Sequence, residues 1–492
     1  MTIVETSYGK LRGHRNTDLS IFKGIPFAEP PVGDRRWRAP QNKQPWPGIK
    51  DALEYGPCAI QSTIPGDIGE LIGIATHATS EDCLYLNIWT PQTDTQKRPV
   101  MVWIHGGGNT VGAGSQPRVN GEHLSRMGNV VIVTINYRLG ALGFMHAPAL
   151  GATGNEGLLD QVAALRWVRN EIAHFGGDPN NVTVFGQSAG GFDIAQLMAM
   201  PCAEGCFDKS IPMSGSITKQ VSPDEGLRAS SALFEMLGGL DKMRSVDAEK
   251  ILKCQSKVPK ARWAPTRDGS VLLEDAKTVL ASGKHTKGMP LMIGHTRDES
   301  TLFTMFIERF RNMTRDELIK HASNHFGEEA DTAIQCYEDD RQTHGLRNNP
   351  VDIWAAISTD SMFRLPAIRT AECHTEHTAD VWMYRFDHES PAHDGMLQSC
   401  HSLDIPFVWG TYDLPQMRRF CGTGLHVSEL SRQIMSAYLA FAHTGNPNNQ
   451  STPDWNRYEA KSRNTLLLNK EISIEKAPLD AIRSFWEEHN IS

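Results

Sequence analysis

Val182-Thr183-Val184-Phe185-Gly186-Gln187-Ser188-Ala189-Gly190-Gly191 is the stretch on which the reading of this chain turns. A short apolar, β-branched run ends in Gly-Gln-Ser-Ala-Gly, and an amphipathic segment, Phe192 to Met200, follows without a break. Strand, Gly-x-Ser-x-Gly and helix in that order form the context of a nucleophile elbow. Ser188 then occupies a sharp, strained turn. Gly186 and Gly190 flank it because strand and helix crowd together where a side chain would sit. The helix begins at the serine, and its N-terminal partial positive charge favours negative charge nearby. The bland alternative is a strand-to-helix turn with a solvent-facing serine, and the flanking elements weigh against it.

Outward from the elbow, Pro99-Val-Met-Val-Trp-Ile104 and Asn129-Val-Val-Ile-Val-Thr-Ile135 are continuous apolar runs. Such runs suit central strands buried on both faces. Between Gly157 and His174, Leu158, Val162, Leu165, Val168 and Ile172 recur at helical spacing, and Gly176-Gly177-Asp178-Pro179 stops the helix. Lys209 to Ser214, Met289 to Gly294 and Val381 to Phe386 are further strand candidates, and 425–445 reads as a late helix. Residues 1–60, rich in Gly and Pro with strand-like pieces at Ile3–Thr6 and Ile21–Lys23, suggest an antiparallel start. The expected fold is α/β: a large, mostly parallel central sheet with helices on both faces and an antiparallel N-terminal start.

A second constellation, His105-Gly106-Gly107-Gly108, directly follows the strand that ends at Ile104. Such a turn can present bare backbone N–H groups to an oxyanion, and the N–H of Ala189 would be the remaining donor. His105 is read as tying down its own loop. A serine nucleophile also needs a base, and the base an orienting acid, in the order Ser, Asp/Glu, His. Asp298 and Glu299 follow one candidate strand, and His388, His393 and His401 follow another. Position alone does not choose among them.

Composition narrows the function classes. The 492 residues are 40% hydrophobic and 22% charged, with a formal net charge of -8. A mildly acidic chain with no basic cluster argues against nucleic acid or an anionic membrane as the main partner. No run approaches the roughly 18 apolar residues of a membrane-spanning helix. No signal peptide is visible at Met1–Thr6, so the cytoplasm is the default compartment; a leader outside this sequence would make the protein secreted. Nine scattered cysteines do not make a disulfide scaffold. Cys202 and Cys206, one helical turn apart without other ligands at metal spacing, read as ordinary thiols.

Taken together, these motifs resemble the type-B carboxylesterase/lipase family, which includes the cholinesterases and the bacterial para-nitrobenzyl esterases; the chain looks closest to the bacterial members. The resemblance is carried by Gly24-Ile-Pro-Phe-Ala28, Ser80-Glu-Asp-Cys-Leu-Tyr-Leu-Asn87, Trp103-Ile-His-Gly-Gly-Gly108, Asn136-Tyr-Arg138, Phe175-Gly-Gly-Asp-Pro179, the elbow, and His401-Ser-Leu-Asp-Ile-Pro-Phe407. It runs from Tyr8 to about Trp455, so residues 1–492 are expected to form a single α/β-hydrolase domain. The resemblance implies ester hydrolysis through an acyl-enzyme. Ser188 matches the nucleophile, Glu299 the acid, His401 the base, and Gly107, Gly108 and Ala189 the oxyanion-hole donors. It implies a small-molecule ester as partner and neither cofactor nor metal, and a monomer is the default state.

Three departures from the family pattern bear on substrate. Gln187 stands where many members carry Glu, removing a negative charge beside the nucleophile. Asn109 stands where an aromatic or apolar residue is common, so it either makes the acyl side more polar or faces solvent. Cys58 and Cys83 match a disulfide of secreted members, and in a reducing cytosol they would stay thiols. Ile60 to Thr79 has no Trp, Tyr or Phe, whereas cholinesterases hold a quaternary ammonium with an aromatic there. The alternatives are a lipase, a polar-ester or toxin-ester hydrolase, and a non-catalytic binding module of the same fold.

Overall fold

The computed structural model describes residues 1–64, 66–73, 78–218 and 220–489. The central element is a sheet of thirteen strands among the described residues. Twelve lie on one path: β1 (Thr2–Thr6), β2 (Gly9–Arg15), β3 (Ser20–Pro26), β4 (Tyr85–Thr90), β5 (Arg98–Ile104), β6 (Val131–Ile135), β7 (Gly177–Gln187), β8 (Lys209–Met213), β9 (Leu291–Thr296), β10 (Val381–Phe386), β11 (Asn464–Leu468) and β12 (Ser473–Lys476). Their spatial order is β1-β2-β3-β4-β6-β5-β7-β8-β9-β10-β11-β12, and Ile49–Asp51 pairs with β2 off this path. Pairing is antiparallel from β1 through β4 to β6 and again between β11 and β12. It is parallel from β6 through β5 and β7 to β11.

All seven residues of β5 and all five of β6 are buried, which is why they read as unbroken apolar runs. Helices Glu156–Glu171 and Leu425–Thr444 pack on the central strands. Trp103 of β5 meets Phe185 of β7 at 5.0 Å and Trp409 at 5.3 Å, both edge-on. Edge-to-face contacts of this kind add to the burial energy of the rings.

Several boundaries differ from the sequence expectation for identifiable reasons. Gly176 alone takes the left-handed turn, at φ 78°, and the backbone is already strand from Gly177. Asn129 is not strand but the left-handed cap, at φ 48°, of helix Glu122–Gly128. Of the stretch 60–79, residues 65 and 74–77 lie outside the described residues. No helix among the described residues is long and apolar enough to cross a membrane.

Register positions the loops. Gly186 pairs with Ile104, and Gln187 with Met213. The loop after β5 and the turn after β7 therefore leave the sheet side by side at its carboxyl edge, where open α/β sheets place ligands.

Candidate active site

Ser188 joins β7 to helix Ala189–Leu197 with φ 57° and ψ −125°. That is a costly backbone conformation for a residue with a Cβ. It is held by the Ser188 N–H donating to the Met213 carbonyl at 2.9 Å and by the Phe192 N–H donating to the Ser188 carbonyl at 2.8 Å. A Cβ on Gly186 would lie 2.5 Å from the Ile104 carbonyl oxygen, and one on Gly190 would press closer still on the same atom. The two glycines thus let strand, elbow and helix meet.

Glu299 and His401 are buried, at 0% and 4% exposure. A Glu299 carboxylate oxygen accepts a hydrogen bond from His401 Nδ1. Its other oxygen accepts the Thr296 N–H at 2.7 Å, and the His401 N–H donates to the Glu299 carbonyl at 3.2 Å. Burial alone would raise the Glu299 carboxyl, but the facing imidazole, with hydrogen bonds from His401 and the Thr296 N–H, holds it below the usual range. Glu299 therefore stays ionised at neutral pH. With Nδ1 donating to the carboxylate, Nε2 is the accepting nitrogen. Gln187 Nε2 donates to it at 3.1 Å, while Gln187 Oε1 accepts from Ser402 Oγ at 3.1 Å. Ser188 itself makes no hydrogen bond to His401 among the described residues. Phe303 and Phe363 wall the imidazole, each at 5.1 Å.

The residues that spacing left open as alternatives are otherwise engaged. Asp298 binds Arg297 at 2.8 Å and Arg341 at 3.1 Å. Burial would raise its carboxyl, but the two guanidiniums outweigh burial and hold it low. His388 Nε2 meets the Cys421 carbonyl at 2.9 Å, and His393 Nε2 meets Asp67 at 2.8 Å. His105 stacks on Tyr137 at 4.4 Å, with Nδ1 on the Gly106 carbonyl at 2.9 Å. Burial pushes it down to about 4, so it is neutral.

Gly107 and Gly108 both have positive φ, 114° and 61°. Among the described residues no acceptor takes either N–H. The Ala189 N–H, the first of its helix, has no intrahelical partner either. Gly108 and Ala189 border a cavity of about 640 Å³ that Phe192, Met362, Arg262, Lys277 and Arg369 also line.

Two departures take a form that sequence reasoning missed. The Asn109 side chain is turned away from solvent and lies in the wall of the cavity. It is 4% exposed, with its amide on Asp193 and Tyr137. Gln187 is 1% exposed and lies against His401. Cys58 and Cys83 are both buried thiols.

A family model described as the carboxylesterase family matches residues 1–486. The para-nitrobenzyl esterase of Bacillus subtilis (strain 168) is 39% identical over 494 residues, covering 97% of this chain and 96% of that protein. The phenmedipham hydrolase of Pseudarthrobacter oxydans is 33% identical over 490 residues, covering 95% of each. The crystal structure of a Geobacillus stearothermophilus carboxylesterase matches with a TM-score of 0.89 at 35% identity, covering 99% of this chain and 100% of that one.

Proposed function

The chain belongs to the carboxylesterase family, and from that premise we propose that it hydrolyses small, polar carboxylic esters with Ser188 as nucleophile, His401 as base and Glu299 as acid. That it is a carboxylic ester hydrolase follows from the family and the esterase relatives. The assignment of roles is our reading. The observation that carries it is the buried Glu299–His401 pair, whose accepting nitrogen is reached by the residue next to Ser188.

In this reading the ester carbonyl enters the cavity, and the Ser188 hydroxyl replaces the Gln187 amide as the donor to Nε2. Hydrogen bonds at such centres are often loose before substrate arrives. Ser188 Oγ gives its proton to His401 Nε2 and bonds to the acyl carbon. Glu299 stabilises the imidazolium, and the N–H groups of Gly107, Gly108 and Ala189 hold the oxyanion. Collapse expels the alcohol, which leaves with the proton from His401. Water then gives a proton to His401 and attacks the acyl carbon; the bond from the acyl carbon to Ser188 Oγ breaks, His401 returns the proton to Oγ, and the acid leaves. The whole chain acts as one domain and as a monomer.

A fluorophosphonate, whose fluoride the serine displaces, is expected to add once per chain and to map to Ser188 by peptide mass. A label on another residue, or none, overturns the assignment of the nucleophile.

Charged side chains of both signs around the cavity, Arg262, Lys277 and Arg369 with Asp275, support polar, soluble esters over long-chain lipids. Rates on para-nitrophenyl esters are expected to be highest from acetate to hexanoate and at least about tenfold lower at palmitate, without a jump at the solubility limit. A maximum at palmitate, with activation at the interface, would make it a lipase.

A further inference from the structure

The donors of the proposed oxyanion hole come from two separate pieces of chain. Gly107 and Gly108 lie on the loop after β5, and Ala189 opens the helix Ala189–Leu197. One buried side-chain contact ties the pieces together: Asn109 Nδ2 donates to Asp193 Oδ1 at 3.0 Å. Asp193 is on the same helix as Ala189, one turn further along. Its other oxygen accepts from Gln161 Nε2 at 2.7 Å, on helix Glu156–Glu171. The opposite end of the Asn109 amide is also held. Its Oδ1 accepts from the Tyr137 hydroxyl at 3.1 Å, which also reaches the His105 carbonyl at 2.8 Å. The Asn109 carbonyl takes the Gly140 N–H at 2.7 Å. Asp193, Gln161 and Tyr137 are completely buried. Asn109 stands at φ 55°, a left-handed conformation that Asn tolerates better than most residues.

We propose that Asp193 is a positioning residue for ester hydrolysis, which through Asn109 holds the Gly107 and Gly108 N–H groups in register with that of Ala189. The proposal rests on the oxyanion-hole reading above. Donors stabilise developing charge only if they are aimed before the reaction begins, and a slip of about 1 Å can cost about 10²-fold in rate. A buried carboxyl is also an expensive way to fill space. Burial pushes Asp193 up to about 7 despite the Asn109 and Gln161 amides that pull it down. An apolar residue of the same size would avoid that cost but could not accept from Asn109.

The test compares Asp193→Ala, Asp193→Asn, Asn109→Ala and the Asp193→Ala/Asn109→Ala double variant on para-nitrophenyl acetate, in the full chain. Asp193→Ala is expected to lower kcat about 10–100-fold with KM within about threefold of wild type. Asp193→Asn is expected to restore kcat to within about threefold. Its amide oxygen accepts from Asn109, and its NH2 can donate to Gln161 Oε1, which has no other partner among the described residues. Asn109→Ala is expected to match Asp193→Ala, and the double variant to lose no more than either single one, because both break the same tie. Unchanged kcat in Asn109→Ala, additive losses, or an Asp193→Asn variant as slow as Asp193→Ala would overturn the proposal. If Asp193→Ala does not fold, Asn109→Ala and Asp193→Asn still decide it. Fluorophosphonate labelling separates this from the underlying assignment. The alanine variants are expected to label Ser188 to full stoichiometry but more slowly, and Asp193→Asn at close to the wild-type rate. A label elsewhere removes the serine mechanism itself, whatever the variants do.

Discussion

Replacing Ser188 with alanine is expected to lower kcat on para-nitrophenyl acetate by at least about 10³-fold. The substitution is clean in this setting. Alanine keeps the Cβ, so the cost of φ 57° at the elbow is the same in both proteins. The backbone bonds to Met213 and Phe192 do not involve the side chain. What disappears is the hydroxyl alone, and with it the acyl-enzyme route. Remaining activity would come from a water molecule attacking an ester polarised in the oxyanion hole. Steady-state kinetics on purified protein with an unchanged thermal midpoint make the comparison. Activity within about tenfold of wild type would mean that another group is the nucleophile.

Replacing Glu299 with glutamine is expected to lower kcat by about 10⁴-fold with little change in KM. The amide can keep the Thr296 N–H bond through its oxygen. Its NH2, however, then faces His401 Nδ1 and favours the tautomer that carries the proton on Nε2. That imidazole can neither accept the Ser188 proton nor, once charged, find a compensating carboxylate. The neighbouring carboxylate supplies the control. Asp298→Asn breaks a buried contact with Arg297 and Arg341 and is expected to show as lost stability, by about 3–5 kcal/mol, with kcat held within about tenfold. The same kinetic assay and a thermal melt read both variants. Equal kcat losses at the two positions would sink the assignment of Glu299 as the orienting acid.

The contrast between these two carboxylates shows where the sequence was legible. The central strands were readable because each is buried on both faces, leaving a continuous apolar run such as Val131–Ile135. The elbow was readable because its whole chemistry lies within a few consecutive residues. β4 was not singled out as a strand. Asn87 interrupts its apolar run and is buried there only because it bonds Thr134 and the Gly24 N–H, partners no local pattern reveals. β11 and β12 were missed because β11 offers only the three apolar residues Leu466 to Leu468, and β12, with no residue fully buried, ends the sheet on a polar stretch. Glu299 and His401 sit on loops, where periodicity says nothing. Spacing alone could not separate them from Asp298, His388 and His393, and only the family resemblance chose between them. The Asn109–Asp193 tie was beyond reach altogether, since it joins residues 84 positions apart and nothing local marks Asp193 as the partner.

The sheet order also shapes how the protein comes into being. Gln187 meets His401 across 214 positions, and Glu299 meets it across 102. The strand that carries the elbow is flanked by one strand from before it in the chain and one from after it. A ribosome must therefore release well over three quarters of the polypeptide before these groups can meet. Long-range parallel pairing of this kind is slow to form and exposes apolar edges while it waits. During refolding, helical signal should return well before hydrolysis does. Yield should fall as protein concentration rises, because unpaired central strands from different molecules can find each other first.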